Sequence, residues 1–275
     1  MLGLNLKDRL RSLNRQRLYL RGLNKPLTNH PDGFTFSGGD KVMTKGGHEP
    51  FESDLVRKIL REVQLFVNIG AHHGYYSCLA LSSNTETVAY EPEATNIMMI
   101  EKHIKANEFN DCFNLHTCAV GSQSGELVLY GGGDTGSLLS NFSNIKYQQQ
   151  TVSVVTLDDT LFLGKKKALC LIDVEGFEHE VLKGASKMLS NKIKPYWIME
   201  ILRTNIRGEA NTEFENVFKL MQSNGYTAWG IDEDTNQLVP FTSDIAVKIA
   251  AGKMKTEISN FLFTERDDDL VQRLV

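Results

Sequence analysis

The stretch LFVNIGAHHGYYS, residues 65–77, places an apolar run directly before a turn that is framed by two glycines. The run is apolar without alternation apart from Asn68, which is typical of a strand buried on both faces of a parallel sheet. Gly70 and Gly74 allow a tight passage into the next helix, and the usual reason for them is a close approach of the main chain to a ligand. The stretch therefore predicts a strand, a turn with a ligand, and a helix.

The chain around this unit continues as alternating strands and helices. Apolar segments predict the other main strands at TETVAYEPE, FNLHTCAVG, ALCLIDVEG, YWIMEI, YTAWGI and ISNFLFT. Residues 122–167 interrupt the alternation with two strands around a glycine-rich loop, in which Asp134 and Ser137 are candidate contacts to a ligand. Seven main strands with helices on both faces predict an α/β fold with a doubly wound, Rossmann-like sheet.

The first 25 residues differ in charge from the rest of the chain. They contain seven lysines and arginines against one acid, Asp8, and leucines recur among them at near-helical spacing. This pattern predicts a basic amphipathic helix that packs on the domain, or that rests on an anionic membrane surface or an acidic partner. We therefore divide the chain into an N-terminal extension of residues 1–50, a helix with short strands and loops, and one domain of residues 51–275.

Composition excludes several classes of protein. A net charge of -4 argues against a general nucleic-acid binder, because no positive field gathers phosphates. No apolar run approaches the roughly 20 residues of a membrane span, and the N-terminus lacks the apolar region of a secretory signal. The four cysteines form no CxxC pair and are expected to be core residues in a reducing compartment, so we expect a cytoplasmic protein.

Ligands of such sheets bind at the carboxyl ends of the strands, where several predicted site residues lie. Asn68 and Gly70 end the first strand, and Glu91 ends the second, where it can accept hydrogen bonds from the two hydroxyls of a ribose. This arrangement predicts a nucleotide-type cofactor. The dinucleotide fingerprint lacks its first glycine, and no GK[ST] phosphate loop is present, which favours S-adenosylmethionine.

Acidic residues crowd the carboxyl end of the fourth strand. Asp173, Glu175, Glu178 and Glu180 lie within eight residues, and Glu200 ends the fifth strand. Such carboxylates repel one another, so a cation, hydrogen bonds or raised pKa values must offset them. Asp173 is expected to reach the cationic side of the cofactor or the substrate hydroxyl, whereas the helix dipole partly explains Glu178 and Glu180.

Three histidines are further candidates. His179, beside the acidic residues, is a candidate general base. His72 and His73 lie in the turn itself and are candidates for substrate contact, although histidines in turns are commonly exposed.

Five motifs carry a resemblance to a known family. FVNIGAHHGYYS, VAYEPE, VSVVTLDD, IDVEGFEHEVLKGA and WIMEI, in this order between Leu65 and Ile201, resemble the FkbM family of S-adenosylmethionine-dependent methyltransferases. DVEGFE followed by LKGA is the most specific of these pieces. The resemblance implies a class I methyltransferase sheet and methylation of hydroxyl oxygens on a glycan, a sugar or a similar hydroxylated metabolite.

The same resemblance implies roles for individual residues. The residues that it places around the cofactor are Gly70, Ala71, Gly74 and, on the ribose, Glu91, with Asp173 near the methyl-transfer centre. Pro92, Ala119 and Val120, at the ends of the second and third predicted strands, complete the predicted cofactor-binding set. The family usually has aspartate where this chain has Asn68 and asparagine where it has His72. Asn68 keeps the capacity for hydrogen bonds but lacks a carboxylate's attraction for a cation.

The predicted mechanism leaves two routes open for the hydroxyl proton. In the first, a base takes it, and the candidates are His179, Asp173, Glu175 and Glu200. In the second, Mg²⁺ held by the acidic residues lowers the pKa of the hydroxyl. The alternative functions are a dinucleotide-dependent oxidoreductase and a cofactor-binding protein of the methyltransferase type without catalysis.

Overall fold

The computed structural model describes residues 23–38, 42–132, 136–142 and 149–274. The predicted basic helix over residues 1–25 lies outside these ranges except for its last three positions, and so does the loop residue Asp134. None of the helices in the described ranges has the length and hydrophobicity that a membrane span requires.

The secondary structure of the described residues follows the predicted alternation. The strands are β1 (Thr28–Asn29), β2 (Thr35–Phe36), β3 (Leu65–Ile69), β4 (Glu86–Tyr90), β5 (Phe113–His116), β6 (Ala119–Val120), β7 (Gly125–Tyr130), β8 (Gln149–Val155), β9 (Ala168–Ile172), β10 (Tyr196–Glu200), β11 (Tyr226–Asp232), β12 (Gln237–Phe241) and β13 (Asn260–Glu265). The α-helices are α1 (Pro50–Leu60), α2 (Tyr75–Ser82), α3 (Ala94–Ala106), α4 (Leu157–Thr160), α5 (Glu178–Lys183), α6 (Ser186–Leu189), α7 (Phe214–Ser223), α8 (Ser243–Ala250) and α9 (Leu270–Leu274). Every segment that was expected to be a main strand contains an observed strand.

The central sheet has the spatial order β12–β11–β13–β10–β9–β3–β4–β5. The pairs from β10 through β9, β3 and β4 to β5 are parallel, whereas β13 pairs antiparallel with β10 and β11. The direction of chain progression reverses between β3 and β9, which is the kind of switch point at which α/β sheets bind ligands. The predicted doubly wound α/β sheet is confirmed, with β12 added to the seven predicted strands as the antiparallel partner of β11.

Alternate residues of the central strands face two separate hydrophobic layers. Val67 and Cys170 belong to one layer, with side chains of α5 and α7. Phe66 and Leu169 belong to the other, with side chains of α1 and α2. Because helices cover both faces, neither β3 nor β9 has a solvent side, and this explains why both are apolar without alternation.

The predicted third strand, FNLHTCAVG, is divided in the structure. Its first part, β5, is the edge of the central sheet, and its second part, β6, pairs with β8 in a separate three-stranded sheet with β7. Cys118, Ala119 and Val120 stay buried after the division. The apolar pattern therefore continues across the break and does not reveal it.

The expectation of four core cysteines is wrong for one of them. Cys78, Cys118 and Cys170 are buried, but Cys112 is exposed. It ends a 3-10 turn, Asn110–Cys112, that precedes β5 instead of lying in the strand.

The described part of the N-terminal extension packs against α3 and the core. The main-chain N–H of Thr35 donates to Asn107 Oδ1 over 2.6 Å, and that of Ser37 donates to His103 Nε2 over 3.1 Å. Phe36 is fully buried in the layer that α1 and α2 share. The division of the chain after residue 50 stays a prediction.

Candidate active site

A cavity of about 930 Å³ opens at the carboxyl ends of the central strands. The predicted site residues that line it are Asn68, Gly70, Ala71, Glu91, Pro92, Ala119, Val120, Asp173, Glu175 and Glu200. Its volume lies at the upper end of the range for small-molecule sites, about 300–1,000 Å³. The cavity therefore has room for a nucleoside cofactor and for part of a second molecule.

Gly70 allows β3 to end against β9. The main-chain N–H groups of Gly70 and Ala71 both donate to the Tyr90 carbonyl oxygen, over 3.0 and 3.1 Å. Gly70 has a φ of +82°, and a Cβ at this position would lie 1.9 Å from the carbonyl oxygen of Asp173. The close approach that the sequence assigns to a ligand is thus made to the main chain of Asp173, the residue directly after β9, and glycine is required there because two strand ends meet.

Gly74 and His179 do not line the cavity. Gly74 precedes α2, and a Cβ at this position would lie 3.2 Å from Cγ1 of Ile100 in α3, so this glycine serves helix packing. His179 lies in α5, where its Nδ1 is 2.7 Å from Glu213 Oε2. The structure therefore brings neither the predicted cofactor contact of Gly74 nor the predicted base His179 to the site.

Glu91 is buried and anchors the turn after β3. Its Oε2 accepts the main-chain N–H of His72 over 2.8 Å, and its Oε1 accepts the N–H of Glu93 over 2.9 Å and Asn96 Nδ2 over 3.2 Å. Burial raises the pKa of Glu91 to about 7. A carboxylate has about four acceptor positions, so one position of Glu91 is left for a ligand hydroxyl.

Asn68 presents an acceptor to the cavity. Its side chain is 2% exposed, and its Nδ2 donates to Ser77 Oγ over 3.0 Å. No donor in the described part of the chain reaches its Oδ1. A buried polar atom of this kind is rare, so the oxygen is suited to accept a hydrogen bond from a ligand.

Asp173, Glu175 and Glu200 form an acidic cluster on the cavity wall. Each offers a carboxylate oxygen within 4.8 Å of those of the other two. Burial, and then repulsion by Asp173 and Glu175, raises the pKa of Glu200 far above its usual value. Asp173 is exposed within the cavity. Its pKa is raised less strongly, by partial desolvation in the cavity wall and then by repulsion from Glu49. Since the pKa of Glu200 is raised far more than that of Asp173, Glu200 keeps a proton at neutral pH and can share it with Asp173, the more acidic member of the pair.

Two more acids on the wall, Glu49 and Glu52, come from the start of α1 and were not predicted. The hydroxyl of Tyr76 lies 2.9 Å from Glu49 Oε2 and 2.9 Å from Glu52 Oε1. The hydroxyl has one proton, which it donates to Glu49, so Glu52 must be protonated and donate to the hydroxyl oxygen. Burial, and then repulsion by Glu49, raises the pKa of Glu52 well above the usual value, in agreement with this. Glu52 shares a helix face with Leu55 and Ile59, and an acid on an apolar face is the signal that could have revealed it.

The two histidines of the turn line the cavity with their rings stacked. The ring centroids of His72 and His73 are 3.8 Å apart. His73 is buried, unlike most histidines in turns, and burial lowers its pKa to about 2. It is therefore neutral at physiological pH.

The glycine-rich loop reaches the acidic cluster through Ser137. Ser137 Oγ donates to the carbonyl oxygen of Glu175 over 2.8 Å and accepts the N–H of Leu139 over 3.1 Å. Glu175 has a φ of +55°, in the left-handed region that costs a residue with a side chain free energy. Since Ser137 contacts this residue, the loop holds the strained turn after β9 in place.

Glu178 is buried behind the cavity. It is 1% exposed, and its Oε1 accepts the main-chain N–H of Gly176 over 2.8 Å. Burial, and to a smaller extent repulsion by Asp173, raises its pKa to about 7 against backbone hydrogen bonds that lower it. Glu178 thus supports the turn after β9 as well as starting a helix.

This raised pKa predicts a pH-dependent stability. The folded protein keeps the Glu178 proton up to about pH 7, whereas the unfolded chain loses it near pH 4.5. The stability that the protonated Glu178 contributes is therefore fully present below pH 4.5 and is lost as the pH rises through 7. Between pH 5 and pH 8 the wild type should lose about 2 kcal/mol of free energy of unfolding through this group, and Glu178→Gln should not. The difference in stability between variant and wild type should therefore shift by that amount in favour of the variant. Urea unfolding at both pH values measures this, with exposed Glu101→Gln as the control. An equal difference at both pH values would contradict the raised pKa.

The comparison with known proteins places the chain in a family. Residues 68–228 match the family described as Methyltransferase FkbM domain. No curated protein matches the chain significantly.

Solved structures of three methyltransferases are similar to the chain. The methyltransferase FkbM of Methylobacillus flagellatus KT has a TM-score of 0.46 and 14% identity, over 92% of this chain and 59% of that one. The O-methyltransferase of Bacillus cereus in complex with SAH has a TM-score of 0.39 and 11% identity, over 78% and 80%. An SAH-bound methyltransferase of Podospora anserina has a TM-score of 0.41 and 10% identity, over 98% and 99%. The chain thus spans about three fifths of the length of the first of these proteins.

Proposed function

Because the chain belongs to the FkbM family of S-adenosylmethionine-dependent methyltransferases, we propose that it methylates a hydroxyl oxygen of a glycan, a sugar or a similarly hydroxylated metabolite. The family resemblance that was predicted from the sequence motifs is confirmed. The observation that supports an oxygen acceptor is the closely spaced pair of acids Asp173 and Glu200 on the cavity wall, which offer carboxylate oxygens within 4.8 Å of each other. A hydroxyl must lose its proton in the transfer, and this pair supplies a carboxylate for it.

The residues of the cavity fit the cofactor of this family. S-adenosylmethionine supplies, when bound, a methyl group that its sulfonium already activates. The free acceptor position of Glu91 suits a ribose hydroxyl, and the unpaired Oδ1 of Asn68 suits the ammonium group of an amino acid. Ala119 and Val120 are buried apolar residues of the same wall and suit the adenine ring.

Asp173 is the base in this proposal. Glu200 holds the shared proton, so at neutral pH Asp173 is the ionised member of the pair. Asp173 takes the proton of the acceptor hydroxyl while Glu200 keeps its hydrogen bond to it. The remaining work of the site is to align the acceptor oxygen and to exclude water.

We expect Asp173→Asn to lower the rate of methyl transfer by about 10²–10⁴-fold, because the amide cannot accept the proton. Methyl transfer from labelled S-adenosylmethionine to a panel of oligosaccharides measures this, with Glu101→Gln as the exposed control. An ether product resists mild alkali, which distinguishes it from a methyl ester on a carboxylate.

Calorimetric titration with S-adenosylhomocysteine and with NAD tests the cofactor independently of the acceptor. We expect binding of S-adenosylhomocysteine. Binding of NAD alone would revive the dinucleotide-dependent oxidoreductase. Binding of S-adenosylhomocysteine without transfer to any hydroxylated acceptor would point to a protein without catalysis.

A further inference from the structure

The acidic cluster of Asp173, Glu175 and Glu200 brings three carboxylates close enough to share one ion. Their ligand oxygens lie within 4.8 Å of one another. Oxygen ligands of Mg²⁺ and Ca²⁺ lie about 2.0–2.6 Å from the ion, so two such oxygens on opposite sides of one ion are separated by about 4–5 Å. The spacing of the three oxygens is therefore that of ligands around a single cation.

A fourth oxygen stands beside this cluster without a donor. Asn260 in β13 is the antiparallel partner of Glu200 in β10, so their side chains lie next to each other on one face of the sheet. Its Nδ2 donates to Glu49 Oε1 over 3.3 Å, and this contact assigns the amide orientation because a carboxylate only accepts.

The amide oxygen of Asn260 is therefore turned away from Glu49. Asn260 is 8% exposed and lines the cavity, and no donor in the described ranges reaches its Oδ1. A buried acceptor without a donor, next to three carboxylates, indicates a positively charged ligand.

We propose that Asp173, Glu175, Glu200 and Asn260 bind one hard divalent cation, of which Mg²⁺ is the first candidate. The donor set consists of oxygen atoms alone, which suits Mg²⁺, Ca²⁺ or Mn²⁺ and does not suit Zn²⁺ or copper, which favour nitrogen and sulfur. Four protein oxygens leave further positions of a six-coordinate ion open to the cavity.

The open positions define what the cation does, and this part of the inference rests on the proposed function. Two neighbouring hydroxyls of a sugar can occupy them, so the cation would select acceptors with adjacent hydroxyls. It would also lower the pKa of the hydroxyl that is methylated. When bound, the cation would replace the proton that Glu200 holds in the metal-free protein. A carboxylate has two oxygens, so Asp173 can then bind the cation through one and take the acceptor proton with the other.

Electron paramagnetic resonance of Mn²⁺ added to the full chain tests the site. We expect one Mn²⁺ per chain, displaced by Mg²⁺. Glu175→Gln and Glu200→Gln should each weaken Mn²⁺ binding by about tenfold or more, because affinity depends on the number of charged ligands. Asn260→Ala should weaken it less, and exposed Glu101→Gln should not change it. Thermal unfolding of every variant verifies that it is folded.

Titration with S-adenosylhomocysteine separates this inference from the proposed function. Cofactor binding without a Mn²⁺ site, or a Mn²⁺ site that the three site variants Glu175→Gln, Glu200→Gln and Asn260→Ala leave unchanged, overturns the cation site and leaves the methyltransferase proposal standing. A Mn²⁺ site in a protein that binds no S-adenosylhomocysteine supports the cation site and overturns the proposed function.

Discussion

Gly70→Ala is expected to weaken the binding of S-adenosylhomocysteine by about a hundredfold or more, or about 2.7 kcal/mol. The new Cβ would lie 1.9 Å from the carbonyl oxygen of Asp173, and the φ of +82° adds backbone strain of about 1–2 kcal/mol. The ends of β3 and β9 must therefore move apart. Since both strand ends form the wall of the cavity, the movement displaces the residues that we propose hold the cofactor. Calorimetric titration measures the affinity.

Gly252→Ala is the matched control for this substitution. Gly252 has a φ of +69°, and an added Cβ there meets nothing within 4 Å, so its replacement brings strain without a clash. We expect Gly252→Ala to lower the melting temperature by a few degrees and to leave cofactor affinity unchanged. If Gly70→Ala only reproduces the effect of this control, the close contact between the strand ends has no role in the site.

Glu91→Ala is expected to weaken S-adenosylhomocysteine binding by about 1.5–3 kcal/mol, which is roughly 10–150-fold. The substitution removes the acceptor for a ribose hydroxyl. It also removes the partner of three protein donors, among them the main-chain N–H of His72 in the turn. Glu91→Gln keeps one acceptor oxygen, so it should lose less affinity for S-adenosylhomocysteine than Glu91→Ala. An affinity of wild-type strength in Glu91→Ala would remove this residue from the cofactor site.

The pH dependence of binding identifies the role of Glu91 more closely. Its pKa in the ligand-free protein is raised to about 7, so at pH 6 most of it is protonated. Hydroxyl donors favour the ionised carboxylate, so binding should release a proton and strengthen as the pH rises from 6 to 8. This increase in affinity from pH 6 to pH 8 should be smaller in Glu91→Gln, because its side chain has no proton to release. Equal pH profiles in the two proteins would contradict this role.

The sequence predicted the strands of the sheet well because burial on both faces leaves a strong signal. The segments around Leu65–Ile69 and Ala168–Ile172 are apolar at every position but Asn68, and such runs occur where helices cover both sides of a sheet. The division between β5 and β6 was missed for the same reason. Residues on both sides of the break are buried, so hydrophobicity does not distinguish one strand from two.

The sequence did not predict every residue that lines the cavity, because proximity along the chain is a poor guide to contact across the fold. His179 lies six residues after Asp173, yet it faces Glu213 outside the cavity. Asn260 and Glu49 lie far from Asp173 in sequence, yet they line the same cavity. Neither belongs to a motif, and only the pairing of β13 with β10 and the position of α1 bring them there.

The sequence by itself determined the alternating order of strands and helices, the family, and a tight glycine turn after the first main strand. These follow from local patterns, since burial sets hydrophobic periodicity and tight turns require glycine. Only the tertiary structure decided that position 70 must be glycine, because a Cβ there would clash with the main-chain carbonyl oxygen of Asp173. It also decided which distant residues line the cavity together with Glu200, namely Glu49, Glu52 and Asn260. Contacts between distant elements depend on how strands order in the sheet, and local periodicity contains no information about that order.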